Sequence, residues 1–182
     1  RKVVMSSDRD ILFAVLEARE DRVNKRNDLL ALYKKPVITV SLNIPGPDKG
    51  AVCYEPVFNI LWNLLITRKK EFKIEYTVKN KTPLGYEGFI VSDREAVILK
   101  KSGLSLEAEH PLGVLFDIDV TDADGIRISR EDLGFSPRPC IVCKENPAFL
   151  CIRGKKHTLE DTLNIIHTMI GEYFLHKGAV RK

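Results

Sequence analysis

The segment Leu112–Val120 reads Leu-Gly-Val-Leu-Phe-Asp-Ile-Asp-Val and places two carboxylates inside an otherwise apolar run. The run predicts a β-strand, and because successive side chains of a strand point to opposite faces, Asp117 and Asp119 share one face. Two carboxylates on a half-buried face repel each other and lose solvation, so a cation should lie beside them. A Mg²⁺ ion that also contacts substrate phosphates would meet that need. The alternative is the solvated face of an edge strand, where charges discourage edge-to-edge pairing.

The composition is that of an ordinary folded domain. The chain has 182 residues, of which 44% are hydrophobic and 30% charged, and we expect a single domain over residues 1–182. The net charge of +4 suits an anionic ligand or an acidic protein partner, but it is too small to indicate nucleic acid by itself. No apolar run approaches the roughly 20 residues of a membrane span, and no signal-peptide pattern opens the sequence, so we expect a cytoplasmic protein without a membrane partner.

Hydrophobic periodicity predicts an α+β fold with a mainly antiparallel (mixed) sheet flanked by helices. Ser7 or Asp8 could cap the first helix, and Thr158 with Asp161 forms a capping-box pattern before the last helix. A turn at Asp124-Gly125 predicts a hairpin after the Asp-x-Asp strand. The predicted helices are 10–33, 56–67, 93–102 and 158–175. The predicted strands are 37–44, 72–78, 88–91, 104–109, the Asp-x-Asp strand that follows a turn at 110–113, and 126–130. A cysteine-rich loop occupies about 137–157.

Glu107 is the candidate third carboxylate, since its predicted strand should pair with the Asp-x-Asp strand. The register of that pairing decides its side. An odd number of loop residues would put Glu107 on the aspartate face, and an even number would put it on the opposite face. The sequence leaves both arrangements open.

Three cysteines and a histidine follow the spacing Cys140-x2-Cys143-x7-Cys151-x5-His157. This set could form a tetrahedral zinc site. Free cysteines also often pack as small hydrophobic side chains, and a redox Cys-x-x-Cys is a third interpretation, although no thioredoxin-like strand and helix surround it. The clustering indicates a reducing compartment rather than a disulfide framework.

A series of basic residues surrounds the cysteine-rich loop, and its last members precede the N-terminus of a predicted helix. Helix N-termini and arginine side chains both favour phosphate groups, although an ordinary basic surface loop has the same composition. The series consists of Arg127, Arg130, Arg138, Arg153, Lys155, Lys156 and His157. The sequence has no Walker loop, no Gly-x-Gly-x-x-Gly fingerprint and no Gly-x-Ser-x-Gly elbow, so dinucleotide redox and serine-hydrolase chemistry lack local support.

The order of these motifs, from about Leu12 to Ile170, resembles the citrate lyase holo-acyl-carrier-protein synthase family, the phosphoribosyl-dephospho-CoA transferases. The matching residues are Arg19-Glu20-Asp21-Arg22, Pro45-Gly46-Pro47-Asp48-Lys49, Gly85-Tyr86-Glu87-Gly88, Lys100, Glu107, His110-Pro111-Leu112-Gly113, Phe116-Asp117-Ile118-Asp119-Val120, Ser129-Arg130, Arg138-Pro139-Cys140-Ile141-Val142-Cys143 and Cys151-Ile152-Arg153-Gly154-Lys155-Lys156-His157. One position departs from the pattern: Val114 stands where the family usually has an arginine.

The resemblance implies a nucleotidyltransferase-like enzyme. It would move a prosthetic group from 2'-(5''-triphosphoribosyl)-3'-dephospho-CoA to a serine of the citrate lyase acyl carrier protein and release diphosphate. Asp117 and Asp119 would bind Mg²⁺, and the general base would be one of these carboxylates or Glu107. The implied substrate-binding residues are Arg19, Arg22, Lys49, Lys100, His110, Gly113, Arg130, Arg138, Arg153, Lys155 and His157.

Two other functions fit the sequence. One is a zinc-stabilised module that binds a carrier protein or nucleic acid without catalysis. Few aromatic residues accompany the basic ones, which argues against single-stranded nucleic acid. The other is the analogous transferase for the carrier of malonate decarboxylase.

Overall fold

A computed structural model describes residues 8–179 of the chain. Within these residues the helices are α1 (Asp8–Tyr33), α2 (Glu55–Ile66), α3 (Ala96–Glu109), α4 (Ala148–Arg153) and α5 (Leu159–Ala179). The strands are β1 (Val37–Leu42), β2 (Ile74–Thr82), β3 (Gly85–Ser92), β4 (Phe116–Thr121) and β5 (Arg127–Ile128). None of the helices in this part of the chain combines the length and the apolar character needed to span a bilayer.

The strands form one sheet in the order β2-β3-β1-β4-β5, and each of the described pairings is antiparallel. The α+β prediction with a mainly antiparallel sheet is confirmed. β1 lies at the centre, where Ser41 is opposite Glu87 of β3 on one side and Asp117 of β4 on the other. The central strand therefore aligns three polar side chains across neighbouring strands.

The two faces of the sheet are covered differently. One face carries alternate residues such as Ile38, Val40 and Ile118, and it forms the main core with α2, α3 and α5. On the other face α1 packs Leu29 and Leu30 against a second, smaller apolar cluster at the Val37 end of β1. The rest of that second face, towards Ser41, carries the polar residues that build the candidate site.

The prediction of a strand at 104–109 is wrong, because these residues complete helix α3. The buried residues of α3 are Ala96, Leu99, Lys100, Gly103, Leu104, Leu106 and Glu107, which recur at helical spacing. Lys100, Gly103 and Glu107 belong to this buried stripe, so the hydrophobic residues alone do not show the helical period. The glycine has a packing role, since a Cβ on Gly103 would lie 2.9 Å from a side-chain carbon of Ile118.

The remaining elements follow the sequence patterns with shifted ends. The capping box of α5 is confirmed: the Asp161 N–H donates to Thr158 Oγ1 at 3.0 Å, and the Thr158 N–H donates to Asp161 Oδ2 at 3.3 Å. The cysteine-rich loop is not wholly irregular, because α4 lies within it, and β5 is only two residues long. Ser7, one of the two expected caps of α1, lies outside the described residues, and Asp8 is the first residue of that helix.

Candidate active site

Asp117 and Asp119 lie on β4, on the face that α1 covers only in part. Each is directly opposite a hydroxyl residue of β1, Asp117 facing Ser41 and Asp119 facing Thr39. Ser41 Oγ donates to Asp117 Oδ2 at 3.3 Å. The side chains of the two acids are 39% and 32% exposed, so both can reach a ligand from solvent.

Basic side chains lie beside this acidic pair. Arg127 Nη2 lies 2.7 Å and Lys100 Nζ 3.6 Å from Asp119 Oδ1, and Arg138 Nη2 lies 3.6 Å from Asp117 Oδ1. The negative charge of Asp119 raises the pKa of Arg127. Cationic side chains thus lie beside the acidic pair, one from β5, one from the loop before α4 and one from α3.

Side chains also cover the outer edge of β4. Its partner β5 pairs only with Val120 and Thr121, which leaves the preceding backbone groups without a strand. The Ile118 N–H donates to Glu107 Oε1 at 3.2 Å, and Lys100 Nζ donates to the Ile118 carbonyl at 2.7 Å. Because Ile118 stands between the two aspartates, these contacts from α3 fix the backbone that carries the acidic pair.

Glu107 itself is held on both carboxylate oxygens. Its Oε2 lies 2.7 Å from Arg130 Nη2 and 3.0 Å from Arg138 Nη2, while Oε1 accepts the Ile118 N–H. Burial raises the pKa of Glu107, and Arg138, the Ile118 N–H, Lys100 and Arg130 act in the opposite direction. These contacts favour a positioning role for Glu107, which orients two arginines. Its strand register no longer matters, since Glu107 reaches β4 from a helix.

A second group of basic residues lies near the other side of the acidic pair. Arg22 Nε of α1 lies 2.6 Å from Glu87 Oε2, and Glu87 is aligned across the sheet with Ser41 and Asp117. Arg22 Nη2 is buried and makes no hydrogen bond within the described part of the chain. Burial lowers the pKa of Lys49, and the charges of Arg19 and Arg22 lower it further. Arg19, Arg22 and Lys49 thus form a group of neighbouring cations, and Arg22 Nη2 can still donate a hydrogen bond. Such a group is well suited to bind an anion.

His110 and Gly113, both expected to bind substrate, have packing contacts here. His110 Nδ1 accepts the Leu112 N–H at 3.0 Å, its Nε2 lies 3.3 Å from the hydroxyl of Tyr173, and its ring stacks on Phe116. A Cβ on Gly113 would lie 2.1 Å from the Glu107 carbonyl oxygen. Gly113 therefore lets the chain pass against the end of α3, and a substrate role for either residue stays a prediction.

The basic residues at the end of α4 and after it make no described contact with the acidic pair. Arg153 lies over the ring of Phe149 at 5.7 Å, and Lys155 is exposed in the following turn. Between residues 8 and 179, neither has a described ion pair with Asp117 or Asp119. Their role in substrate binding stays a prediction.

His157 joins the three cysteines of the loop. Every pair of ligand atoms among Cys140, Cys143, Cys151 and His157 lies within 4.8 Å. Cys143 Sγ and Cys151 Sγ are 3.7 Å apart. The backbone N–H groups of Asn146 and Glu145, together with the His157 imidazole, lower the pKa of Cys143, whereas burial raises the pKa of Cys151. The spacing in the sequence thus corresponds to a real cluster.

Ser41 and Glu87 belong to the site but were not predicted as site residues from the sequence. Both become site residues only because β1 and β3 are the neighbours of β4, and strand order is not visible in a local pattern. A usable signal did exist for Glu87: it is the one charged residue of the segment that forms β3, next to Gly88 and directly before the predicted strand 88–91.

Residues 11–173 match the family of apo-citrate lyase phosphoribosyl-dephospho-CoA transferases. Curated proteins of that name from Shigella flexneri serotype 5b (strain 8401), Escherichia coli O1:K1 / APEC and Escherichia coli O139:H28 (strain E24377A / ETEC) are each 31% identical to this chain over 160 residues. In each case the alignment covers 87% of this chain and 87% of the relative. The chain belongs to this family of transferases.

Val114, which differs from the residue expected of the family, lies in the turn Gly113–Leu115 before β4. It lines a cleft together with Glu107, Arg130 and Arg138. An arginine at position 114 would add a cation to that cleft. In this chain, Arg130 and Arg138 are the cations that line it.

Proposed function

We propose that this protein transfers the 2'-(5''-phosphoribosyl)-3'-dephospho-CoA group from its triphosphoribosyl donor to a serine of the citrate lyase acyl carrier protein, with release of diphosphate. The observation that supports this most is the position of the acidic pair between two cationic groups. One group comes from α3 and the loop before α4, and the other comes from α1 and Lys49. Family membership supports the same reaction.

The acidic pair fits a magnesium ion. Mg²⁺ is commonly held by one or two carboxylates, with waters and substrate phosphates completing an octahedral shell. Asp117 and Asp119 share a face, are partly exposed and have a hydroxyl beside one of them. When bound there, Mg²⁺ would neutralise charge on the phosphates and polarise the reacting phosphorus.

The basic residues would hold the triphosphate on both sides of the acids. Glu107 orients both Arg130 and Arg138, and Arg138 presents its guanidinium group next to Asp117. Lys49 and Arg22 present a second anion-binding group, and the unpaired Nη2 of Arg22 can donate to a phosphate oxygen. Cations aimed at the phosphates stabilise charge as it moves to the leaving group.

The reaction itself is a substitution at phosphorus. The serine oxygen of the carrier forms a bond to the α-phosphorus of the donor, the bond from that phosphorus to the β-phosphate bridge breaks, and diphosphate leaves. The serine proton must pass to a base. Asp117 is the carboxylate we favour, because its contacts with Ser41 and Arg138 are 3.3 and 3.6 Å long, whereas Asp119 and Glu107 each pair with an arginine at 2.7 Å.

The acceptor is proposed to be an acidic carrier subunit. The net charge of +4 and the exposed Lys155 and Lys156 of the loop after α4 suit such a partner. A cytoplasmic location, expected from the sequence, belongs to the same proposal.

The direct test is to incubate the full chain with the triphosphoribosyl donor, Mg²⁺ and apo carrier protein, and to measure the intact mass of the carrier. The expected result is a mass gain equal to the phosphoribosyl-dephospho-CoA group, together with an equal amount of diphosphate, both abolished by a chelator. Replacing the carrier by that of malonate decarboxylase tests the acceptor. Modification of the malonate carrier alone would overturn the proposed substrate.

A further inference from the structure

The cluster formed by Cys140, Cys143, Cys151 and His157 has no part in the proposed transfer reaction. All of its ligand atoms lie within 4.8 Å of one another. A tetrahedral zinc ion with bonds of about 2.3 Å to sulfur and about 2.0 Å to nitrogen separates its ligand atoms by about 3.5 to 3.8 Å. The 3.7 Å between the sulfurs of Cys143 and Cys151 already has that value.

His157 provides an independent observation. Its Nε2 atom is buried and has no hydrogen-bond partner in the described part of the chain. A buried polar atom without a partner is destabilising, and such atoms in folded proteins call for an explanation such as an ion. A metal bound by this nitrogen would remove the cost, whereas a disulfide between Cys143 and Cys151 would leave the imidazole as it is.

The backbone of the loop is shaped around the sulfur atoms. Lys144 adopts a left-handed conformation with φ of 59°, and its N–H donates to the Cys140 carbonyl at 2.9 Å. The Cys140 N–H donates in turn to the Asn146 carbonyl at 2.8 Å. The turn directs the backbone N–H groups of Glu145 and Asn146 at the sulfur of Cys143. Such hydrogen bonds orient thiolate ligands and stabilise their charge.

We propose that Cys140, Cys143, Cys151 and His157 bind one zinc ion in a closed, structural site. Four protein ligands leave no position for substrate or reactive water, so the ion would stabilise the fold rather than take part in chemistry. Cys140 and Cys143 lie in the loop that follows Arg138, Cys151 lies in α4, and His157 directly precedes the Thr158 cap of α5. One ion bound by all four would therefore connect these three segments.

The site would also help to position Arg138. The Arg138 carbonyl accepts the Ala148 N–H at 2.8 Å, and Pro139 forms a bridge with Pro147. Both contacts lie at the base of the cysteine loop, while the Arg138 side chain contacts Glu107 and Asp117. Fixing the loop therefore fixes the backbone from which this arginine reaches the acidic pair.

The test is the metal content of the full chain, purified without a histidine tag and without chelators. We expect one zinc ion per chain in the wild type and in Cys53→Ser, because Cys53 is exposed and outside the cluster. We expect loss of zinc in Cys151→Ser and in His157→Ala. Wild-type protein free of zinc, with either four titratable thiols or a Cys143–Cys151 disulfide in the peptide map, would overturn the proposal.

Two further measurements apply if a variant fails to fold. Wild-type protein stripped of metal and reloaded with Co²⁺ should show the thiolate-to-cobalt charge-transfer absorption of a tetrahedral site. The stripped protein should unfold at a lower temperature, and Zn²⁺ but not Mg²⁺ should restore the midpoint. Restoration by Mg²⁺ alone, or the absence of the cobalt spectrum, would contradict the assignment. These readouts do not depend on transfer activity, so they stand apart from the proposed function.

Discussion

Individual charged side chains in this protein act mainly through the partners that orient them. Lys100 and Glu107 are buried on α3, yet each makes one contact with the backbone of Ile118 and another with a charged residue of the site. Asp117 and Asp119, which flank Ile118, remain partly exposed. Lys100 and Glu107 thus fix the backbone of β4, and Asp117 and Asp119 are the residues that can contact a ligand.

Lys49 offers the clearest test of the second cationic group. Replacing it by methionine keeps the length of the side chain but removes the charge, and hydrogen bonds to charged groups contribute about 1.5–3 kcal/mol. We therefore expect Lys49→Met to raise the KM for the triphosphoribosyl donor by about 10-fold or more, with a smaller effect on kcat. Lys70→Met is the matched control, since Lys70 is exposed in the turn between α2 and β2. An unchanged KM in Lys49→Met would remove Lys49 from the donor site.

Glu107 should make stability depend on pH in a particular direction. Burial raises its pKa above the ordinary value of 4.5, so the folded state binds the proton more tightly than the unfolded chain does. The resulting stabilisation is present below pH 4.5 and is lost as the pH rises through the pKa of the folded state. Glutamine at this position cannot titrate.

The free energy of unfolding of wild type minus that of Glu107→Gln should accordingly be constant at low pH and fall as the pH rises above 4.5. Urea titrations of both proteins across this range measure it. A difference that grows with pH would mean that Arg130 and Arg138 outweigh burial and hold the carboxylate in its charged form.

At the scale of secondary structure, the Asp-x-Asp strand could be predicted because apolar and acidic side chains alternate along it. Asp117 and Asp119 lie on one face of β4 as the sequence predicts, and Asp124-Gly125 forms the expected hairpin turn with Gly125 at φ of 85°. The second half of α3 was not readable as helix. Its buried stripe includes Lys100, Gly103 and Glu107, whose burial depends on β4, so only tertiary contacts reveal the period.

The N-terminus of α5 allows a prediction at this scale. The Thr158 hydroxyl accepts the Asp161 N–H, which satisfies one of the free donors of the first turn. Thr158→Ala should lower the free energy of unfolding by about 1 kcal/mol, as loss of an N-cap usually does. Thr168→Ala, at an exposed position within the same helix, should be neutral or slightly stabilising. Equal effects of both substitutions on urea unfolding would contradict the capping role.

For the whole molecule, the important feature is that helices pack over one face of the sheet more extensively than over the other. α2, α3 and α5 bury one face in the main core, while α1 packs its apolar residues at the Val37 end of the other and reaches the Ser41 end through the ion pair of Arg22 with Glu87. The polar, partly exposed region around Asp117 and Asp119 brings together residues from β1, β3, β4 and β5 and from α1 and α3. Composition and motif order could indicate the fold class and the acidic pair. The alignment of Glu87, Ser41 and Asp117 could not be predicted, because it follows from strand order and register.

The acidic pair is central to the proposed reaction, and the intact mass of the carrier protein after reaction with donor and Mg²⁺ tests its role most directly. Asp117→Asn and Asp119→Asn keep the shape of each side chain and remove its charge, so we expect a loss of modification of at least about 100-fold with the fold retained by circular dichroism. Asp124→Asn, an exposed acid in the hairpin after β4, should modify the carrier at the wild-type rate. Full modification by either of the first two variants would contradict the central claim.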